Sequence, residues 1–252
     1  MVRGIESFRD WFHDYEDQYV IIGGTACDLL MTEEGLDFRA TKDIDMVLII
    51  EAVDSSFGRH FWEYVIEAGY QHLNKSTGGQ QFYRFTNPRS HDYPTMIELF
   101  TRRLDDIILP ETAKLTPLPM DDEISSLSAI LLDSDYYEFL KRGRITIDGV
   151  TVLDSPYLIP FKAKAWLDMS ERRSEGEQID SKNVRKHKND VFRLTELLDQ
   201  NMPPLNGVPE TVRKDMREFL ERMASEEVDL KQLGIRGKNK ESIIEDLTRL
   251  YC

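Results

Sequence analysis

The sequence changes character once, near residue 155, and that change limits the fold more than any other feature. Before it lie short runs of β-branched and aromatic residues broken by glycine and proline. After Pro156 no further strand pattern occurs, and apolar residues recur at helical spacing over 158–173, 181–200, 209–224 and 239–251. A chain of 252 residues with two such halves is expected to form a mixed α/β (α+β) domain over 1–155 and a helical domain over 156–252. No internal repeat or low-complexity tract interrupts either half.

Within the first half, Ile5, Phe8, Phe12 and Tyr15 predict a helix over 5–17, followed by a strand, Tyr19-Val20-Ile21-Ile22, that runs into Gly23-Gly24. A helix is expected from Thr25, with Thr25 or Gly24 near its cap, and the polar stretch 32–41 reads as a loop. Residues 42–50 begin with alternation and end in an apolar run, the pattern of a central strand. A helix over 57–69, strands over 81–85 and 95–100, the intervening loop 87–94 and a helix over 125–140 follow. Arg144 to Leu153 reads as a hairpin turning at Asp148-Gly149.

Composition removes several classes. The N-terminal residues alternate charge with aromatics and lack the apolar core of a signal peptide, and no run approaches the length of a membrane helix, so a soluble cytoplasmic protein is expected. Two cysteines, Cys27 and Cys252, build neither a disulfide framework nor a zinc site and are expected to be free thiols. Forty-six acidic against thirty-two basic residues leave a net charge of −14, which opposes general coating of nucleic acid and confines any such contact to a local patch.

Asp43-Ile44-Asp45 carries the chemistry. Carboxylates at i and i+2 of a strand project to one face about 7 Å apart, where both reach divalent ions above the strand. Paired ions of that kind clamp the oxygens of an in-line phosphoryl displacement, and hard oxygen donors suit Mg²⁺ or Mn²⁺. An isolated Asp-x-Asp is more often a solvated strand edge, and Gly-Gly alone is more often a tight turn. Here an apolar strand runs into Gly23-Gly24 at a helix N-terminus, where backbone N–H groups favour phosphate, and the acidic pair follows.

Ile22-Gly23-Gly24, Asp43-Ile44-Asp45 and Glu98 within Met96-Ile97-Glu98-Leu99-Phe100 resemble, in order, the pattern of the nucleotidyltransferase superfamily that includes DNA polymerase beta. The spacer before Asp43 is long, and Glu replaces the commoner Asp as third carboxylate. Arg39-Ala40-Thr41-Lys42-Asp43-Ile44-Asp45 is similar to the Arg-x-Thr-x-Asp-x-Asp of the AbiEii-like toxins of toxin–antitoxin and phage-defence systems. Two further matches lie in the helical half: a helix that in that group carries a lysine meeting the triphosphate, with Lys162 best aligned and Lys164 second, and Lys188 with Asp190 in a second basic-acidic motif, where Arg193 stands in place of another acid.

The resemblance implies a nucleotidyltransferase-fold mixed sheet with flanking helices, a helical C-terminal domain, and an active site between the two. It implies Asp43, Asp45 and Glu98 as catalytic metal ligands, and Gly23, Gly24, Thr25, Arg39, Thr41, Lys162, Lys164, Lys188 and Asp190 around the nucleotide. The donor would be a nucleoside triphosphate and the acceptor a tRNA end, a protein hydroxyl or a small molecule; a cognate antitoxin is implied on the same ground. Lys182, Arg185, Lys186, His187, Lys188 and Arg193 form the one dense basic patch, usually no more than a solvated helix surface and otherwise a landing site for acceptor or triphosphate. On a helix 182, 185, 186 and 193 share a face and 188 lies round from it. Gly78-Gly79-Gln80-Gln81 reads as a turn near the site. The rival classes are an inactive module of the same fold and a nucleotide-binding oxidoreductase, which would need the third glycine of G-x-G-x-x-G.

Overall fold

The computed structural model describes residues 2–49, 51–72, 82–101, 127, 129–199 and 201–252. The expected turn at 78–81 and the start of the helix expected at 125 lie outside those residues. The chain divides into two compact units, Met1–Pro119 with Arg144–Leu153, and Met120–Gly143 with Asp154–Cys252. The hairpin therefore belongs to the first unit, while the segment before it joins the helical one.

In the first unit the elements are α1 (Ile5–Phe12), β1 (Tyr19–Ile22), α2 (Gly23–Glu33), β2 (Asp43–Leu48), α3 (Ser55–Ala68), β3 (Gln71–His72), β4 (Phe82–Thr86) and β5 (Met96–Phe100), then, after α4 (Ser134–Arg142) of the second unit, β6 (Arg144–Ile147) and β7 (Val150–Leu153). The strands form one seven-stranded mixed sheet in the order β3-β4-β5-β2-β1-β7-β6, with β2/β5 and β1/β7 parallel and the other pairs antiparallel. β1 is buried along its whole length, as its apolar run requires. The hairpin turns at Asp148-Gly149 with φ of 46° and 74°, the positive pair that two-residue turns demand.

Helix α1 stops at Phe12, short of the expected residue 17. Two turns, Tyr15 N–H to Phe12 O and Gln18 N–H to Tyr15 O, both 3.0 Å, bring the chain round into β1 instead. Phe12 is fully buried and meets the rings of Tyr19, Phe57, Phe61 and Tyr64 at 5.2–6.2 Å, so one aromatic cluster joins α1, β1 and α3. α3 begins at Ser55 because Asp54 accepts from the Ser56 and Phe57 N–H groups, and it ends at Gly69, whose φ of 65° closes the last turn.

The second unit holds α4, α5 (Ser155–Ser174), α6 (Ser181–Leu194) with a short 3₁₀ turn Thr195–Leu197, α7 (Glu210–Ser225) and α8 (Lys240–Tyr251). Asp133, Asp154 and Asp180 cap α4, α5 and α6, which start at Ser134, Ser155 and Ser181. Helix α5 contains Pro160, which has no N–H to offer the Pro156 carbonyl one turn back. The fully buried Tyr251 hydroxyl donates to that carbonyl instead, at 2.6 Å, tying α8 to the break. No strand follows Leu153 among the described residues, and no helix among them is long and apolar enough to cross a membrane. Cys27 is buried and Cys252 exposed, both as thiols.

Candidate active site

Strand register builds the site in the first unit. Arg84 on β4 lies opposite Glu98 on β5, Glu98 opposite Asp45 on β2, and Asp45 opposite Ile22, the last residue of β1, so one row crosses four strands. Asp43 sits two residues before Asp45 and shares its face of β2; both are half-buried.

The glycine turn is shaped around Asp45. Helix α2 begins at Gly23, two residues before the expected Thr25, because Gly23 takes a φ of 71° that turns the chain directly out of β1. A Cβ on Gly23 would collide with Asp45 Oδ2, so the carboxylate occupies the space that a side chain there would need. A Cβ on Gly24 would stand 2.6 Å from Thr41 Oγ1 and 3.5 Å from Arg39 Nη2. The Arg39 guanidinium also lies over the Phe38 ring, 5.0 Å from its centre. Glycine backbone, a hydroxyl and a guanidinium therefore converge at the N-terminus of α2, beside the aspartates.

Thr25 does not cap α2. Its buried hydroxyl donates to the Asp43 carbonyl at 2.5 Å and so ties the helix to the start of β2.

Glu98 is 6% exposed. Its Oε1 accepts from Arg84 Nε at 2.8 Å and pairs with Nη2 at 2.7 Å. Its carboxyl is nonetheless pushed up to about 9, by burial first and then by the Asp45 charge and a hydrogen bond to Asp45, with Arg84 pulling the other way. Two carboxyl groups this close favour a proton or a cation between them. The donor chemistry of Asp43 and Asp45 fits a hard divalent ion. Among the described residues no three His, Cys, Asp or Glu side chains already stand as a metal-ligand group, and one oxygen of Glu98 is occupied by Arg84. Arg84 is the site residue that the motif pattern did not single out.

The other expected residues lie in the second unit, each paired with an acid or a base of that unit. Lys162 is 3% exposed and its Nζ stands 3.3 Å from Oδ2 of the fully buried Asp190, which also faces Arg193 at 3.7 Å. Lys164 bonds Asp215 at 3.0 Å, and Asp215 accepts from the Tyr136 hydroxyl at 3.0 Å. Lys188 donates to Glu226 Oε2 at 2.6 Å and to the Glu227 carbonyl at 2.9 Å. The basic patch is thus partly internal: Lys188 and Arg193 face acids of their own unit, whereas Lys182 and Arg185 are exposed. Arg185 and Lys188 line an open hollow of about 760 Å³ together with Glu226, Asp229 and Lys240, so both charge signs surround it.

The fold is similar to that of an antigenic nucleotidyltransferase-like protein from Paracoccidioides brasiliensis, with 14% identity, a TM-score of 0.44 and coverage of 92% of this chain and 93% of that one. It is also similar to the Megavirus polyadenylate synthase, with 13% identity and a TM-score of 0.40; 88% of this chain matches 36% of the longer synthase. No protein-family model and no curated protein matches the sequence.

Proposed function

We propose that this chain is a metal-dependent nucleotidyltransferase that moves a nucleoside monophosphate from a nucleoside triphosphate to an acceptor hydroxyl. One observation carries the reading: Gly23 has room for no side chain because the Asp45 carboxylate fills that space, beside an α2 N-terminus where Gly24, Thr41 and Arg39 meet. A phosphate-binding turn and a paired carboxylate are thereby packed into one place.

Asp43 and Asp45 would hold Mg²⁺ or Mn²⁺, and the ion would neutralise and orient the triphosphate oxygens. The chain's own groups do the rest. The N–H groups at the start of α2 and the Thr41 hydroxyl donate to phosphate oxygens, and the planar Arg39 fork offsets their charge. The acceptor oxygen forms its bond to the α-phosphorus as the bond to pyrophosphate breaks. With a cation beside Asp45, Glu98 would stand ionised, and the oxygen that Arg84 does not hold would take the proton of the acceptor hydroxyl. Within the helical unit Lys162 pairs with Asp190 and Lys164 with Asp215.

The finer assignment, an AbiEii-like toxin with a cognate antitoxin and a tRNA or protein acceptor, is supported by the Arg39 to Asp45 string and by the matches around Lys162 and Lys188 in the helical half. Incubation with each of four α-labelled triphosphates, divalent metal and a cell lysate identifies donor and acceptor together. Asp43→Asn and Asp45→Asn are each expected to abolish labelling while leaving the thermal melt intact. Full labelling by both variants sinks the mechanism, and nucleotide binding without labelling by the wild type would favour an inactive module.

A further inference from the structure

We infer that Arg84 is a positioning residue of the candidate site: it grips the Glu98 carboxylate through Oε1 and so fixes how that group stands beside Asp45. The inference rests on the proposed role of the Asp43–Asp45 site and adds to it a residue on a strand that the motif pattern does not touch.

Register supplies the first reason. Arg84 and Glu98 are directly opposed on antiparallel β4 and β5, and opposed residues of such a pair present their side chains on the same face. Geometry supplies the second. Nε at 2.8 Å and Nη2 at 2.7 Å both reach one oxygen, and two donors held in a rigid plane restrict the carboxylate more than a single ammonium does. Charge supplies the third. On its other side Glu98 faces Asp45, a like charge, in a place where the Arg84 and Glu98 side chains are only 19% and 8% exposed. With a cation bound both carboxylates are ionised and little water screens them, and the guanidinium then fixes which way Glu98 turns. A carboxylate required at a fixed place beside a cation is then held there by a partner outside the ion's reach, as orienting groups around metal ligands commonly do.

The test compares wild type, Arg84→Gln, Arg84→Lys, Glu98→Gln and the Arg84→Gln/Glu98→Gln double variant. Mn²⁺ affinity is read by calorimetry, and kcat and KM with whichever triphosphate labels product. Arg84→Gln is expected to weaken Mn²⁺ binding and lower kcat, each by about 10- to 100-fold, with KM for the triphosphate nearly unchanged. Arg84→Lys should recover part of both losses. In the Glu98→Gln background, removing Arg84 should change neither quantity, because the group through which it acts is already gone. Equal losses in both backgrounds, or no loss in either, overturn the inference. Should Arg84→Gln fail to fold, Arg84→Lys carries the same comparison, since it keeps the charge and loses the two-donor grip. Wild-type protein that binds no Mn²⁺ sinks the proposed function itself, whereas Mn²⁺ binding that ignores Arg84 sinks only the positioning role.

Discussion

In the sheet unit, Glu98 is buried beside another carboxylate with Arg84 as its counter-ion; in the helical unit, Asp190 is buried between the two cations Lys162 and Arg193. Both sites remove charge from water, which is costly unless the charge is matched. Around Asp190 the matching is complete in sign. Around Glu98 it is not, and the shortfall appears as a carboxyl that holds its proton far above the usual range. Packing alone has no use for two carboxylates in one row, whereas a cation or phosphate chemistry does. Under the proposed function, the difference separates a pair that stabilises its surroundings from one that would be tolerated for what it binds.

The largest effect should come from breaking the matched pair. Asp190→Ala leaves the Lys162 ammonium, 3% exposed, facing no acid on α6, and is expected to destabilise the helical unit by about 3–5 kcal/mol. Replacing both members, Lys162→Met with Asp190→Leu, should recover most of that loss, because two apolar side chains of similar volume need no counter-charge. Urea midpoints of the two variants decide it. A single variant as stable as wild type would mean that Lys162 finds another partner, and the pair would lose its structural role.

The unmatched pair should respond in the opposite direction. Glu98 has a folded-state value raised from 4.5 to about 9. A group shifted this way contributes its stability fully below about pH 4.5 and loses it progressively as pH rises through about 9. Across that window its contribution falls by at most ~1.4 kcal/mol per pH unit. Glu98→Gln keeps the shape of the protonated acid and does not titrate, so it should stabilise the metal-free sheet unit by about 2 kcal/mol at pH 7 and flatten its stability between pH 5 and 9. Urea midpoints at pH 5.5, 7 and 8.5 test this. An unchanged slope in the variant would show that Glu98 does not govern it.

These charge groups also mark where the sequence is legible. The glycine turn, the aspartates and Glu98 were visible as residue types in order along the chain: the turn needs glycine, and acids within apolar strands stand out from their neighbours. Arg84 was not, since its meeting with Glu98 depends on the register of β4 against β5 across a nine-residue, glycine-free loop, which no local pattern encodes. A lone arginine inside an aromatic run was the available signal: such a cation needs an acid nearby. The helices expected from 57 and 158 start earlier, at Ser55 and Ser155, for a simpler reason, while the one expected from 181 starts there. All four Asp-Ser pairs of the chain, at 54, 133, 154 and 180, begin a helix by side-chain capping, whereas apolar spacing becomes evident only further along. The residues just before the hairpin join the helical unit, because Tyr136 packs against Phe161 and bonds Asp215. Lys162 matched a motif by type, and its burial against Asp190 depends on α5 packing on α6, which type does not reveal.

Lys164 sharpens the comparison with a pair of the same chemistry, two residues along the same helix but nearer water. Its side chain is 35% exposed, and its partner Asp215 keeps a second donor, the Tyr136 hydroxyl at 3.0 Å. Removing the ammonium therefore strands no buried group: Asp215 stays hydrogen-bonded, and solvent screens what charge imbalance remains. Lys164→Met should cost less than about 1 kcal/mol, while its apolar stem still covers the surface that the lysine covered. Tyr136→Phe in the same background removes the remaining donor, and the double variant should then lose more than the two single changes together. A urea-midpoint cycle over the four proteins measures this. If Lys164→Met alone costs as much as Asp190→Ala, exposure does not separate the two pairs, and the contrast between matched burial and screened contact fails within one helix.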